Sequence, residues 1–190
     1  DCKSEFVDET YPLNPLTGRA SRRVDAERQL RDWGRRSRVR ICVLRAPGIY
    51  SSERLPLARL KSGTPALNPE DDCYTNHVHA ADLACMAVAA LRFGHAGRMY
   101  NASDDSLLKT GDYFDLVADR FALPRAPRVS RAAAQQEMTP LQLSFMSESR
   151  RLDNRRIKKE LHAQLIYPHV ADGVAAAEHQ VLLLVRSLQH

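Results

Sequence analysis

Helix-like and strand-like patterns of apolar residues alternate through most of the chain. Residues 20–36 carry apolar side chains at helical spacing, and the next segment, 39–47, is an almost continuous apolar run. The first pattern predicts a helix, and the second is typical of a strand buried on both faces. Strands are also predicted at 73–79 and 98–103, each followed by a helix. The sequence therefore predicts an α/β fold with a largely parallel sheet.

Other apolar patterns predict the remaining helices. They lie at 55–60, 111–121, 131–137, 140–145 and 154–161, and a last helix ends the chain. Thr110 is expected to cap the helix at 111–121, because its hydroxyl can accept from a free N–H of the first turn. In the helix at 20–36, the residues Val24, Leu30 and Trp33 are expected to face the core. Only two or three sheet strands can be counted, which is few for a doubly wound sheet.

Length, composition and charge limit the kinds of function that the protein can have. The chain has 190 residues, of which 44% are hydrophobic, and a formal net charge of +5, which fits an ordinary globular domain. Its longest apolar run near the end, 181–185, is far too short to span a bilayer, so no membrane partner is predicted.

The four cysteines form no CxxC pair, which favours a cytoplasmic setting. His77 and His79 lack a third ligand nearby, so no metal site is predicted.

Arginines are concentrated between Arg19 and Arg40. Such a cluster could neutralise the phosphates of a nucleic acid or of a dinucleotide. The acidic residues Asp25, Glu27 and Asp32 are interleaved with it, and no aromatic ladder accompanies it. A solvated helix face is therefore the favoured interpretation. Nucleic-acid binding is the less favoured alternative, and it predicts an affinity that falls steeply with salt.

Five short motifs follow one another in order along the chain. They are NPLTGRASRRVDAE at 14–27, LRAPGIYSS at 44–52, NHVHAADLA at 76–84, MYNASDDS at 99–106 and LDNRRIKKEL at 152–161. Together they resemble the second half of the NAD(P)-dependent epimerase/dehydratase family, the extended or atypical short-chain dehydrogenase/reductases. The resemblance implies a partial Rossmann-like, doubly wound parallel sheet at 1–110, without its N-terminal nucleotide-binding strands. It also implies a small α+β substrate region at 111–190, mainly helical and not an independent domain.

The catalytic helix of this family carries Tyr and, four residues later, Lys, and both positions differ here. Counting back from Ala26 and Glu27, the Tyr position is Arg19 and the Lys position is Arg23. Arg23 can still donate to ribose hydroxyls. Arg19 stays protonated near neutral pH and is therefore a poor acid or base. The catalytic residues are thus unknown, and Tyr50, near a strand end, is the candidate substitute for the missing phenol.

The resemblance also implies a coenzyme, NAD or NADP. Ala46, Pro47 and Ile49 are expected to join Arg23 around it. The glycine-rich turn with which the family holds the pyrophosphate does not occur in this sequence. The coenzyme is therefore expected to be bound mainly by residues that precede Asp1.

A small-molecule substrate is expected beside the coenzyme. Gly48 stands where the family has a substrate-facing Asn, and Arg54, Arg150 and Arg151 are candidates for binding a phosphate or carboxylate. The leading hypothesis is an atypical oxidoreductase, epimerase or dehydratase acting on a small or nucleotide-linked substrate. The alternative is a non-catalytic dinucleotide sensor or regulatory protein of the same fold. A homodimer is left open.

Overall fold

The computed structural model describes residues 5–139, 142–143, 146 and 149–187. The helices are α1 (Gly18–Ser37), α2 (Leu57–Lys61), α3 (Ala80–Phe93), α4 (Thr110–Arg120), α5 (Arg131–Glu137), α6 (Arg155–Leu161) and α7 (Val170–Ser187). The strands are β1 (Phe6–Val7), β2 (Val43–Arg45), β3 (Gly48–Tyr50), β4 (Ala66–Leu67), β5 (Tyr74–Thr75), β6 (His77–His79), β7 (Met99–Asn101), β8 (Leu108–Lys109), β9 (Arg128–Val129) and β10 (Arg151–Leu152). A short 3-10 turn covers Ser52–Arg54.

Strand pairing joins distant parts of the chain. β2 lies parallel to β7, with Val43 opposite Met99, and β3 lies parallel to β6, with Gly48 opposite His77. The pairs β1 with β10 and β4 with β9 are also parallel, whereas β5 pairs with β8 in the antiparallel sense. The predicted α/β class with mostly parallel strands is confirmed. Within the described ranges these are separate two-stranded ladders, so the doubly wound sheet stays a prediction.

Several predicted strands are shorter than their apolar runs. The run at 39–47 is a strand only in β2, and the chain then passes Pro47, which has no N–H for a ladder, before β3 begins. The run at 73–79 divides into β5 and β6 at Asn76, whose side chain bonds the backbone of Arg150 and Leu152 instead. No sequence pattern predicted β1, β4 or β9. The helix predicted at 140–145 lies mostly outside the described residues.

Helix α1 has the predicted position but not the predicted packing. Thr17 caps its N-terminus by accepting a backbone hydrogen bond. Near the other end Gly34 is buried, and a Cβ there would lie 3.0 Å from the side chain of Ile41. Leu30 and Trp33 were expected to face the core, yet they are 51% and 49% exposed. This part of the prediction is wrong, since Gly34 is the one buried residue of α1 among those described.

The start of α4 also differs from the prediction. Thr110 is its first helical residue rather than its cap. The Thr110 hydroxyl donates to the Cys73 carbonyl, and the Asp72 carboxylate accepts from the Gly111 N–H at 2.8 Å. Asp72 therefore satisfies one of the free N–H groups at the start of this helix.

Two hydrophobic cores support these elements. The first surrounds α4 and α7, and it packs Leu67 with Val117 and Val174. The second lies between α3, α6 and the strands β2 and β7, with Met86 and Ile157 inside it. The first core combines residues from both sides of position 110, and the domain boundary expected there stays a prediction. No helix of the described ranges is both long and apolar enough to cross a lipid bilayer.

Candidate functional site

A cleft of about 460 Å³ opens between α1, the segment 11–16 and the carboxyl end of β2. Ligands of open α/β sheets collect at such strand ends. Its ionisable side chains are Asp8, Tyr11, Arg23, Glu27, Arg45 and Arg150. Apolar side chains of α1, β2 and the segment 11–16 form most of the remaining wall. Apolar walls with a few polar groups are typical of a site for a small organic ligand.

Several residues that the sequence pointed to meet in this cleft. Arg23, Ala46 and Pro47, expected at the coenzyme, line it together with the substrate candidate Arg150. Ile49 does not line it, because its side chain packs into the second core. The cleft thus brings together four of the expected positions, drawn from α1, the end of β2 and the segment before β10.

Other candidates lie elsewhere. Arg19 precedes Arg23 by one helical turn but is not among the residues that line the cleft. Gly48 packs against the His77 ring, and a Cβ added to it would lie 3.2 Å from that ring. Arg54 is exposed in the 3-10 turn. Of Arg19 and Arg23, only Arg23 therefore lines the cleft.

Arg151, the remaining substrate candidate, has a packing role in this structure. Its guanidinium lies 4.2 Å from the centre of the Phe6 ring and 5.0 Å from that of Tyr74. Cation–π contacts of this kind hold an arginine against aromatic faces. Arg151 therefore ties β10 to β1 and β5.

Tyr50 is buried in the first core and is only 2% exposed. Its ring stands edge-on to His79 at 5.1 Å, and a Cβ on Gly173 of α7 would lie 2.4 Å from its hydroxyl. Burial and the nearby Asp104 carboxylate raise the pKa of Tyr50 far above its ordinary value. A phenol so enclosed cannot reach a substrate in the cleft. The prediction that Tyr50 replaces the missing catalytic phenol is therefore wrong, because its hydroxyl is enclosed in the core.

An ion pair that the sequence did not predict joins α1 to β2. Arg45 donates to both carboxylate oxygens of Glu27, at 3.0 and 2.7 Å, and both side chains are about one-fifth exposed. A bidentate ion pair of this kind fixes the relative orientation of the two side chains as well as their separation. In the sequence, Glu27 and Arg45 are separated by eighteen positions, and this spacing was the feature that could have indicated the pair. The pair orients α1 against the strand that ends at the cleft.

The opposite wall depends on buried polar groups of β7. The side chain of Asn101 donates to the carbonyls of Val7 and Asp153, at 3.1 Å each. The Asn101 N–H donates to Glu9 at 2.7 Å, and Glu9 also pairs with Arg156 at 3.3 Å. These bonds hold the segment before α1 against β7. Sequence reasoning did not find them, although a polar residue in a buried strand is a usable signal.

The motif around β6 has a structural role in the described chain. The His79 Nδ1 accepts from the Ala81 N–H at 3.2 Å and so caps α3. Asp82, 1% exposed, accepts from the N–H groups of Ile166 and Tyr167 at 2.6 and 3.1 Å. These bonds tie the start of α3 to the segment before α7.

Two buried titratable groups lie near Tyr50. Burial lowers the pKa of His77 to about 4, and its ring packs on Tyr113 at 4.3 Å. Burial raises the pKa of Asp104 to about 7. One oxygen of Asp104 accepts from the Ser106 N–H, and the other has no partner among the described residues. Neither group lines the cleft.

Comparisons with known proteins support the fold. No family model and no curated protein matches the chain. A conserved protein of unknown function from Silicibacter pomeroyi is 30% identical, with a TM-score of 0.82 over 94% of this chain and 61% of its own. A dTDP-glucose 4,6-dehydratase from Streptomyces venezuelae, with NAD and TYD bound, is 20% identical, with a TM-score of 0.70 over 93% of this chain and 54% of its own.

RMD from Pseudomonas aeruginosa, complexed with NADPH, is 15% identical, with a TM-score of 0.66 over 92% of this chain and 60% of its own. The chain therefore spans between about half and three-fifths of these structures. It shares the Rossmann-like α/β fold that the motifs predicted.

Proposed function

We propose that this protein is an NAD(P)-dependent oxidoreductase, epimerase or dehydratase of the short-chain dehydrogenase/reductase type, acting on a small or nucleotide-linked substrate. The observation that carries the proposal is the cleft at the end of β2, where Arg23, Ala46 and Pro47 meet. Solved structures of the same fold include complexes with NAD and with NADPH. The position of the cleft agrees with the general rule for ligands of α/β sheets.

The residues of the cleft fit the nicotinamide-ribose end of a dinucleotide. Val24, Ala46 and Pro47 offer apolar surface for a flat ring, and the Arg23 guanidinium can donate to ribose hydroxyls. The glycine-rich turn that would hold the pyrophosphate does not occur in these 190 residues. Bound there, NAD(P) supplies hydride transfer, and the side chains of the cleft orient the ring and move protons.

Arg23→Ala in the full-length protein is expected to weaken the binding of NADPH or NADH by roughly ten- to a hundredfold, because one charge-assisted hydrogen bond is worth about 1.5 to 3 kcal/mol. Coenzyme fluorescence and the shift in melting temperature measure this change. Arg22→Ala is the matched control, since Arg22 is exposed on the same helix but does not line the cleft. Equal losses of coenzyme affinity in the two variants would show that binding depends on the total positive charge of the helix rather than on the position of Arg23. Failure of both coenzymes to stabilise the protein would contradict the proposed function.

A non-catalytic dinucleotide sensor of the same fold is the second candidate. It is favoured by Arg19, which occupies the position of the family's acid-base Tyr and lies outside the cleft. A sensor binds the coenzyme without turning over a substrate. The double variant with Arg19→Tyr and Arg23→Lys is screened with sugar nucleotides. This screen distinguishes an enzyme that was disabled by the two arginines from a protein whose site is built in another way. Turnover of a substrate by the native protein at an ordinary enzymatic rate excludes the sensor.

A further inference from the structure

The phenol that faces the cleft is Tyr11, in the segment before α1. Its N–H donates to the Asp8 carbonyl at 3.3 Å, which holds the backbone in a turn. Its hydroxyl donates to the Glu5 carboxylate at 3.3 Å. Tyr11 is 37% exposed, so it is open both to the cleft and to water. It has the accessibility that the buried Tyr50 lacks.

Three side chains of the cleft can exchange a proton, because arginines stay protonated near neutral pH. Asp8 accepts from the N–H and the hydroxyl of Thr10 at 2.8 and 2.6 Å, and these bonds lower its pKa. Glu27 is committed through both oxygens to Arg45. Both carboxylates are thus already engaged as hydrogen-bond acceptors. Among the described lining residues, Tyr11 is the group that carries a proton to donate near neutral pH.

We propose that Tyr11 is the catalytic acid and base of this cleft, an inference that rests on the proposed function. In reduction, a hydride from the reduced coenzyme adds to the carbonyl carbon of the substrate, and the π electron pair moves to the carbonyl oxygen. The O–H bond of Tyr11 breaks, and its proton joins that oxygen to complete an alcohol. The phenolate regains a proton from water. Oxidation of an alcohol follows the same steps in reverse, with the phenolate accepting the hydroxyl proton.

One charged side chain of the cleft suits this role. The phenolate left after proton transfer is an anion, and a nearby cation favours an anion. Arg23 lines the same cleft and has no bond with a carboxylate among those described, whereas the charge of Arg45 is paired with Glu27, and the Tyr11 hydroxyl itself donates to Glu5. Tyr11 thus stands eight positions before Arg19 in sequence but shares a site with Arg23 in space.

Tyr11→Phe in the full-length protein removes the hydroxyl and keeps the ring. We expect kcat to fall by about a hundredfold or more, which is the usual contribution of general acid–base catalysis. The assays are NADPH-dependent reduction of 9,10-phenanthrenequinone and conversion of dTDP-glucose and UDP-N-acetylglucosamine with NAD⁺ or NADP⁺. The Kd for NADPH should change less than about twofold, since the ring and Arg23 remain. Tyr74→Phe is the matched control, because Tyr74 lies on β5 outside the cleft.

A second measurement needs no turnover. In protein labelled with ¹³C at the tyrosine Cζ, the Tyr11 signal is assigned by its loss in Tyr11→Phe. It should shift when NADPH is added, because the ring shares the cleft with the coenzyme. The Tyr74 signal should stay in place. A Tyr11 signal that does not move while NADPH binds overturns the proposal.

The remaining outcomes separate the two proposals. Undiminished turnover by Tyr11→Phe overturns the role of Tyr11 and leaves the proposed function standing. A native protein that binds NADPH but converts none of the probes removes the catalytic role and favours the sensor. Failure to bind either coenzyme overturns the proposed function itself.

Discussion

Asp104→Asn is expected to increase the free energy of unfolding at pH 8 by about 3 to 4 kcal/mol, since each pKa unit corresponds to about 1.4 kcal/mol. Burial raises the pKa of Asp104 from 3.8 to about 7. Between these two values the folded protein binds more protons at this site than the unfolded chain. The contribution of this group to stability is therefore greatest below pH 3.8 and is lost as pH rises through 7. Asparagine is neutral throughout and retains an oxygen to accept from the Ser106 N–H.

Urea unfolding of both proteins at pH 4 and at pH 8 measures this effect. The gain should be present at pH 8 and largely absent at pH 4. Asp105→Asn, at the neighbouring position, is a control for which the opposite change in stability is expected. Although burial raises the pKa of Asp105, its bonds with Lys158 and Asn154 outweigh burial and lower it, so that variant should lose stability at pH 8. A stability difference for Asp104→Asn that does not vary with pH would refute the explanation.

Asp82→Ala is expected to reduce the free energy of unfolding by about 3 kcal/mol or more, because a hydrogen bond to a charged group is worth about 1.5 to 3 kcal/mol and the buried carboxylate accepts two. The carboxylate accepts from two backbone N–H groups, those of Ile166 and Tyr167. It also lies in the first turn of α3, where a negative charge is favourable.

Thermal and urea unfolding measure this loss. Asp112→Ala provides the comparison, since Asp112 also lies in the first turn of a helix, α4, but is exposed. It should cost less than about 1 kcal/mol. Similar losses for the two variants would mean that the helix dipole, rather than the two hydrogen bonds, accounts for the effect of Asp82.

The sequence predicted the long elements because they repeat a pattern. The helices α1, α3 and α4 each extend over several turns, so their apolar positions recur often enough to be recognised. β4 and β9 have two residues each and pair with one another from distant parts of the chain. A strand of two residues contains no full period of alternation, so no local pattern can reveal it.

The positions of cleft residues could be predicted where they lie on a helix or directly after a strand. The family resemblance pointed to Arg23 and Pro47, and both line the cleft because one lies on α1 and the other follows β2. The position of Tyr11 depends on the path of an irregular segment, which spacing along the sequence does not determine. Tyr50 failed for a related reason. It was placed near the end of the predicted strand 39–47, but it belongs to β3, and its side chain is enclosed by Gly173 of α7, far away along the chain.

The burial of His77 together with Asp104 affects how many protons folding takes up. Around pH 5 an unfolded chain carries one proton on His77, whose unperturbed pKa is 6.5, and none on Asp104, whose unperturbed pKa is 3.8. In the folded protein the pKa values are about 4 and about 7, so the histidine is neutral and the carboxyl holds the proton. Folding therefore relocates one proton from the imidazole to the carboxyl, and these two groups together exchange none with the buffer.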